Sequence, residues 1–277
     1  MAKQRIDILL VELGFFTSRE KAQAAIMAGL VLVDRERVNK AGTKVDSESQ
    51  IEIKGNPHPY ASRGGLKLEK GLQQFGFLLQ NAVCLDIGAS TGGFTDCMLQ
   101  HGAARVYAID VGYGQLDWKL RNDPRVVVME RTNIRHVTPE QIPEPVHFVS
   151  IDVSFISLKL VLPVLPPLLA PDCKIVALIK PQFEAGKQQV GKNGVVRDPA
   201  IQRQVITQVA FFAGELGFRL LGLDFSPIRG PKGNIEYLLA LTPAEVNGIE
   251  QKQPWNEDVN EEIIQQVVAS AHQTSWS

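Results

Sequence analysis

The chain has few cysteines, almost no excess of either charge and no long apolar run. Its three cysteines, Cys84, Cys97 and Cys173, are an odd number without the paired spacing of a zinc site or a disulfide framework. No metal site is predicted, and a reducing cytoplasm is favoured. The 29 Lys+Arg and 30 Asp+Glu give a net charge of -1, so any nucleic-acid contact requires a local basic patch.

Membrane and secretion signals are also missing. The most apolar stretch, residues 160–170, is interrupted by three prolines and is shorter than the roughly 18 residues of a spanning helix. Asp7 and Glu12 fall where a signal peptide needs apolar residues. We therefore expect neither a membrane contact nor secretion.

The 277 residues, 44% of them hydrophobic, suffice for a large core and a small companion domain. In the first part, helical spacing of apolar residues predicts a helix from Arg5 that ends at Gly14. A capping box of Thr17 and Glu20 predicts a second helix, which stops at Gly29. Short alternating stretches at 31–33, 38 and 51–53 predict a small antiparallel sheet. Prolines and Gly55 then indicate a linker.

Beyond the linker, apolar runs alternate with helical segments, which is typical of a parallel sheet covered on both faces. Seven strands are predicted, at 83–87, 106–109, 126–129, 146–151, 174–179, 220–225 and 235–241. The last two are joined by too short a connection for a crossover helix and are therefore antiparallel. The predicted divisions are a small α+β domain at 1–55, a linker at 56–62, an α/β domain at 63–243 and a polar tail at 244–277. That tail contains a short helix with Ile263, Ile264, Val267 and Val268 on one face.

Four polar residues stand at or just after the ends of predicted parallel strands, namely Asp86, Asp110, Asp152 and Lys180. Ligands of open parallel sheets bind at this edge. Each residue alone could be a helix cap or a chance occurrence. Together they indicate a site.

A glycine-rich turn, residues 86–96, follows the first of these strands. Its glycines at 88, 92 and 93 do not match G-x-G-x-x-G, which disfavours a pyrophosphate cofactor. Asp110 ends the next strand, where a carboxylate can accept both hydroxyls of a ribose. A nucleoside ligand without pyrophosphate fits both observations, and S-adenosylmethionine is predicted. The alternative is that the glycines serve only a tight turn. The predicted cofactor-binding residues are Asp86, Gly88, Ser90, Gly92, Gly93, Phe94, Asp110 and Asp152.

Residues 88–92 also satisfy the G-x-S-x-G pattern of a hydrolase nucleophile elbow. Such an enzyme needs a histidine base after the final strands. His101, His136 and His147 precede those strands, and His272 lies in the polar tail. The hydrolase interpretation is therefore disfavoured.

The combination of motifs resembles the TlyA family, also called haemolysin A, of ribosomal RNA 2′-O-methyltransferases. These have an S4-like RNA-binding domain fused to an FtsJ-like, Rossmann-type methyltransferase domain. The motifs are RIDILL at 5–10, SR at 18–19, GLV at 29–31, SRGGLKL at 62–68, DIGASTGGFTD at 86–96, SIDVSFIS at 150–157, LIKPQFE at 178–184 and GNIEY at 233–237. The resemblance implies a catalytic tetrad of Lys67, Asp152, Lys180 and Glu236.

Methylation of a ribose 2′-hydroxyl requires alignment of oxygen, carbon and sulfur and removal of a proton from a weak acid. Lys180 is the best candidate base, because burial and a neighbouring cation such as Lys67 would favour its neutral form. Asp152 and Glu236 would oppose this while orienting the amine. Each charge taken alone could equally be an ordinary surface charge, and Glu184 with the run 187–192 could be either a substrate loop or an exposed one.

RNA binding by the first domain must depend on the placement of its charges, since residues 1–60 carry nine Lys+Arg and eight Asp+Glu. The predicted basic face comprises Arg5, Arg19, Lys21, Arg37 and Lys40, together with Arg63 after the linker. Such a face recognises RNA backbone and shape. Scattered solubilising charge is the alternative.

The sequence therefore predicts a cytoplasmic, S-adenosylmethionine-dependent ribosomal RNA 2′-O-methyltransferase. The resemblance implies that cytidine is the target, and no obligate protein partner is evident. A second hypothesis is a ribosome-assembly factor that binds the cofactor and RNA without catalysis. The third, a membrane-active haemolysin, is disfavoured by the absent membrane signals.

Overall fold

The computed structural model describes residues 3–13, 15–16, 18–47, 49–54, 59–246, 249–250 and 257–276. The chain divides into two compact units, Met1–Pro59 and Tyr60–Ser277. The division falls within the predicted linker at 56–62, of which residues 56–58 lie outside the described residues. Tyr60 is buried in the core of the second unit, and the Ala61 N–H donates to Asp96 of that unit.

The first unit contains two helices and two small antiparallel sheets. Its elements are β1 (Lys3–Arg5), α1 (Ile6–Glu12), α2 (Arg19–Met27), β2 (Val31–Val33), β3 (Glu36–Val38), β4 (Lys44–Asp46) and β5 (Ile51–Ile53). β2 pairs with β3 and β5, and β1 pairs with β4. The buried side chains of Ile6, Leu10 and Ile26 join the helices to the sheet in one core.

The predicted helices and three-stranded sheet are confirmed, but the pairing of β1 with β4 was not predicted. β1 is polar and only three residues long, so it carries no apolar pattern. Two predicted helix signals, Gly14 and Thr17, lie outside the described residues. The hydroxyl of Ser18 caps α2 by accepting the N–H of Lys21 at 3.4 Å.

The second unit is a seven-stranded sheet with helices on both faces. Its elements are α3 (Gly65–Phe75), β6 (Val83–Ile87), α4 (Gly93–Gln100), β7 (Arg105–Ile109), α5 (Trp118–Arg121), β8 (Val126–Met129), β9 (Val146–Ile151), β10 (Leu169–Ile179), α6 (Pro181–Glu184), α7 (Pro199–Glu215), β11 (Phe218–Phe225), β12 (Tyr237–Pro243), β13 (Glu245–Val246), β14 (Ile249–Glu250) and α8 (Glu257–Gln273). The strand order is β11-β12-β10-β9-β6-β7-β8.

β12 runs antiparallel to both of its neighbours, and the other adjacent strands are parallel. The predicted α/β fold, with seven strands of which one is antiparallel, is confirmed. Side chains alternate along β6, so that Leu85 and Ile87 pack on the face covered by α7 and α8. Cys84 packs on the opposite face with α3 and α4.

The apolar stretch 160–170 lies between β9 and β10. It forms short 3₁₀ turns at Leu162–Val164 and Pro166–Leu168, in which Pro163 is the second residue and Pro166 the first, and then enters β10. Among the residues that the structure describes, no helix combines the length and apolarity needed to cross a membrane.

Candidate active site

The sheet brings four side chains from separate parts of the chain into one cluster. Asp152 and Lys180 follow the carboxyl ends of the parallel strands β9 and β10. Glu236 directly precedes β12, whose Tyr237 pairs with Ile179, so the antiparallel register places it beside the end of β10. Lys67, on α3, completes the cluster.

The ion pairs within this cluster are unequal. Lys67 Nζ lies 2.6 Å from Glu236 Oε2 and 3.5 Å from Asp152 Oδ2. Lys180 Nζ lies 2.6 Å from Asp152 Oδ1 and donates to Ser154 Oγ at 3.1 Å. Lys67 therefore has two carboxylate partners, whereas Lys180 has one carboxylate and one hydroxyl.

Electrostatics keeps Lys67 and Asp152 charged. Burial lowers the pKa of Lys67, but the carboxylates of Asp152 and Glu236 raise it by more, so the pKa lies above its ordinary value. Burial likewise raises the pKa of Asp152, but Lys67 and Lys180 outweigh this effect and bring it below its ordinary value. The cluster is thus a buried salt-bridge network in which each partner compensates the desolvation of another.

Two cavities meet at this cluster. The first, of about 440 Å³, is lined by Ile87, Gly88, Ser90, Ile109, Asp110, Val111, Gln115, Thr132, Asn133, Ile134, Asp152, Val153, Ser154, Phe155, Ile156 and Val161. The second, of about 480 Å³, is lined by Lys67, Gly88, Ser90, Asp152, Ser154, Phe155, Lys180, Gln182, Phe183, Val190, Gly194, Gly230, Pro231, Lys232, Asn234 and Glu236. They share the wall formed by Gly88, Ser90, Asp152, Ser154 and Phe155, which suits a reaction between two substrates.

Half of the predicted cofactor-binding residues line the first cavity. They are Gly88, Ser90, Asp110 and Asp152. The Asp110 carboxylate accepts the backbone N–H groups of Ser90 at 2.8 Å and Gly112 at 2.7 Å. Gly88 has a φ of +89°, and a Cβ there would stand 2.6 Å from the Asp152 carbonyl oxygen. Only glycine lets this turn approach Asp152 so closely.

The other four predicted residues lie behind the cavity wall. Phe94 belongs to the core, and Cβ atoms at Gly92 and Gly93 would collide with Leu120 and Ser62. These two glycines allow close packing of the turn, and they are not among the residues that line the two cavities.

Asp86, the fourth residue behind the wall, is fully buried, and its carboxylate accepts the hydroxyls of Thr95 at 2.6 Å and Ser150 at 2.9 Å. Burial raises the pKa of Asp86 to about 6 despite these hydrogen bonds. Its contacts join β6, β9 and α4 beneath the site.

Two of the predicted RNA-binding residues meet at one buried carboxylate in the first unit. Asp7 accepts the guanidinium groups of Arg5 and Arg19 at 3.0 Å and the side-chain amide of Gln23 at 2.7 Å. Both arginines remain about half exposed. The remaining predicted cations, Lys21, Arg37, Lys40 and Arg63, are exposed.

Two family models match the chain. An FtsJ-like methyltransferase model matches residues 60–242, and an S4 domain model matches residues 4–51. The chain is 52% identical over 274 residues to YqxC of Bacillus subtilis, named as a candidate rRNA methyltransferase, covering 98% of this chain and 95% of that protein. It is 48% identical over 240 residues to the 16S/23S rRNA (cytidine-2′-O)-methyltransferase TlyA of Mycobacterium tuberculosis, covering 86% of this chain and 90% of that protein. The chain belongs to the TlyA family.

A solved structure agrees with this assignment. A protein from Streptococcus thermophilus named as a candidate hemolysin superposes with a TM-score of 0.77 at 47% identity, covering 99% of this chain and 97% of that protein. The resemblance inferred from the motifs is thus confirmed, and the second unit is an FtsJ-like methyltransferase domain.

The hydrolase alternative finds no support in this TlyA-family site. The Ser90 hydroxyl donates to Gln115 Oε1 at 3.2 Å. No histidine is among the residues that line the two cavities. Ser90 therefore has no base, although its φ of +48° is unusual for a residue other than glycine.

Sequence reasoning missed several residues in the cavity walls. Thr132 and Asn133 follow β8, so the strand-end rule that selected Asp110 would have found them had it been applied to the third strand. Lys232 lies in the connection between β11 and β12, just before the quoted motif GNIEY, which contains Asn234 but gave no role for it. Ser154 and Phe155 belong to a quoted motif, but their placement between the cavities follows only from the fold.

Proposed function

We propose that the protein is an S-adenosylmethionine-dependent methyltransferase that modifies ribose 2′-hydroxyls of ribosomal RNA in the cytoplasm. The observation that carries this proposal is the meeting of two cavities at a cluster of two lysines and two carboxylates. A methyl donor and an RNA acceptor need two such compartments with a shared wall. The names of the rRNA (cytidine-2′-O)-methyltransferase relatives support cytidine as the target.

The first cavity fits S-adenosylmethionine, which supplies an electrophilic methyl group when bound. The wall contains isoleucines that suit an adenine ring, including Ile87, Ile109 and Ile134. Asp110 accepts one backbone hydrogen bond on each oxygen, and a carboxylate oxygen can accept a further bond. Asp110 would therefore hold the ribose hydroxyls, and Asp152 would provide a negative charge near a sulfonium.

The second cavity places lysine amines where an acceptor hydroxyl would enter. Lys67 is held as a cation by two carboxylates. Lys180 has one carboxylate partner, Asp152, and one hydroxyl partner, Ser154. Lys180 would remove the proton from the 2′-hydroxyl, while Lys67 would orient Asp152 and Glu236 and stabilise negative charge on the oxygen.

The S4 domain supports RNA as the acceptor. Asp7 holds Arg5 and Arg19 side by side with their guanidinium groups half exposed, an arrangement suited to phosphate groups. Lys21, Arg37 and Lys40 would extend this contact, and Arg63 would add one from the methyltransferase domain.

Replacing Lys180 by methionine tests the proposed base. Lys180→Met keeps the apolar stem and removes the amine, so the single-turnover methylation rate on saturating ribosomal subunits should fall by about 10²–10⁴-fold. Cofactor affinity should be nearly unchanged. Lys174→Met is the matched control, because Lys174 lies within β10, the strand that Lys180 follows, away from its carboxyl end, and should tolerate the change.

The wild-type result separates this proposal from a non-catalytic assembly factor. Transfer of radiolabelled methyl groups to unmethylated subunits supports the enzyme. Cofactor and RNA binding without any transfer would favour the assembly factor. Wild-type-like turnover by Lys180→Met would exclude Lys180 as the base.

A further inference from the structure

A short segment, residues 153–157, forms much of the wall between the two cavities, and we refer to it as the partition segment. Val153 and Ile156 line the first cavity, whereas Ser154 and Phe155 line both. The position of this segment therefore determines the shape of both compartments at the point where they meet.

Neither burial nor backbone conformation stabilises the partition segment at Phe155. Phe155 is 89% exposed and has a φ of +64°, a conformation that is unfavourable for an aromatic residue. Such a backbone persists only when surrounding contacts fix it. The segment must be anchored by another element.

Three contacts anchor it to Lys180 and the helix α6 that follows. Lys180 donates to Ser154, and the ring of Phe183 lies 5.0 Å from that of Phe155. The strongest anchor is Glu184, at the end of α6. Its Oε2 accepts the hydroxyl of Ser157 at 2.6 Å, and its Oε1 accepts the N–H of Leu158 at 2.7 Å.

The contacts of Glu184 are with the chain around the end of the partition segment and not with the cavities. One oxygen accepts from Ser157 at the end of the partition segment, and the other accepts from Leu158, the residue that follows it. Glu184 is not among the residues that line either cavity. Burial raises the pKa of Glu184 above its ordinary value, so the carboxylate is kept out of water at an energetic cost. A role in direct substrate contact is not indicated by this placement.

We propose that Glu184 is a positioning residue that fixes the partition segment against α6, and that methyl transfer depends on this attachment. This inference rests on the proposed function. With Glu184 in place, Ser154 stays beside Lys180 and the two cavities keep a common wall. Without it, the strained segment is free to relax, and the alignment between donor and acceptor is lost.

The test compares Glu184→Ala with Glu184→Gln in the full chain. Glutamine retains an oxygen for the Leu158 N–H and an amide that can donate to the Ser157 oxygen, whereas alanine removes both bonds. We expect Glu184→Ala to lower the single-turnover rate at saturating RNA and cofactor by about ten- to a hundredfold, as misplacement of reacting groups does. Glu184→Gln should stay within about threefold of wild type.

Two further variants guard against a general loss of structure. Ser157→Ala removes one of the two bonds and should give an intermediate rate. Glu144→Ala is the matched control, because Glu144 also accepts two hydrogen bonds, in its case from the side chains of Arg105 and Tyr107, but precedes the amino end of β9. It should methylate at the wild-type rate.

Hydrogen exchange supplies a readout that does not depend on methylation. The Leu158 amide should lose protection in Glu184→Ala and keep it in Glu184→Gln, while β9 stays protected in both. Unchanged protection, a wild-type rate in Glu184→Ala, or equal rate losses in the two variants would each overturn the inference. A wild-type protein that fails to methylate would instead count against the proposed function, and the exchange measurement would still decide whether Glu184 fixes the segment.

Discussion

Asp86 and Asp152 are both buried carboxylates at the ends of parallel strands, yet their pKa values shift in opposite directions. Burial raises both. At Asp152 the cations of Lys67 and Lys180 outweigh burial. The donors to Asp86 are all neutral, namely the hydroxyls of Thr95 and Ser150 and the backbone N–H of Thr95, and the charge of Asp152 raises its pKa further. Neutral donors compensate desolvation less well than ammonium groups do. One sheet edge therefore holds a carboxylate that stays charged and another, beneath it, that titrates near neutrality.

The raised pKa of Asp86 predicts a specific pH dependence of stability. The folded-state pKa of about 6 lies above the unfolded value of 3.8, so folding is coupled to proton uptake. The resulting stabilisation is present below pH ~4 and is lost as the pH rises through ~6. Asp86→Asn removes the titration. Urea unfolding from pH 4.5 to 7 should show the wild type losing stability relative to this variant, and parallel curves would contradict the shift.

Asp110 predicts a defect confined to cofactor binding. Asp110→Ala should weaken S-adenosylmethionine binding by roughly 1.5–3 kcal/mol, the usual value of a hydrogen bond to a charged group. Isothermal titration calorimetry measures this, with thermal unfolding as a check that the turn of Ser90 and Gly112 survives. Asp117→Ala is the control, since Asp117 caps α5 nearby without lining the cavity. Unchanged affinity in a folded Asp110 variant would move the cofactor site elsewhere.

At the residue scale, the sequence alone identified the site only where strand ends could be located. Asp110, Asp152 and Lys180 follow from that rule. Lys67 and Glu236 were predicted only from the family resemblance. Lys67 lies on a helix that precedes the sheet, and Glu236 precedes an antiparallel strand. Only the fold brings both residues to the edge where the parallel strands end. Asp86 shows the limit of selecting site residues by their position at a strand end. The alternation of side chains along β6 decides whether a residue there faces the core or a cavity.

At the scale of elements, apolar runs predicted strands better than they predicted connections. The ranges 126–129 and 146–151 agree with β8 and β9, because valines occupy three of the four positions of β8, and β-branched or aromatic residues occupy four of the six positions of β9. The 3₁₀ turns between β9 and β10 and the pair of β1 with β4 had no such pattern. The tail helix was predicted as short, but α8 runs from Glu257 to Gln273, and it packs Ile264 and Val268 into the core.

Adjacent isoleucines on α8 test whether this helix belongs to the core of the second unit. Ile264 is 2% exposed, whereas Ile263 is 38% exposed. Ile264→Ala should lower the free energy of unfolding by about 2–5 kcal/mol, the range for a buried isoleucine. Ile263→Ala, which removes the same atoms from the surface, should cost far less. Equal effects in urea unfolding would show that α8 does not dock as described.

At the scale of the whole molecule, the two units differ in what their charges do. In the second unit, Lys67, Asp152, Lys180 and Glu236 pair with one another at the sheet edge. In the first unit, Asp7 is fully buried, while its arginine partners stay half exposed. A carboxylate that orients cations toward solvent suits an RNA-binding role that net charge alone does not indicate, since residues 1–60 are nearly neutral.

This division of roles predicts the behaviour of a truncated protein that starts at Tyr60. The first cavity, which we propose binds S-adenosylmethionine, is lined by residues of the second unit, so the affinity for this cofactor should match that of the full chain. Its affinity for ribosomal RNA and its methylation rate at subsaturating RNA should fall steeply, because the cations of the S4 domain are gone. Filter binding at several salt concentrations measures the loss, and the truncated protein should show a shallower salt dependence, since fewer phosphates are neutralised.

Full-length Lys180→Met serves as the opposite control, binding RNA normally without turnover. If the truncated protein kept full RNA affinity and an unchanged salt dependence, the S4 domain would not be the main RNA-binding element. Arg63 and the cations around the second cavity would then have to account for the RNA affinity.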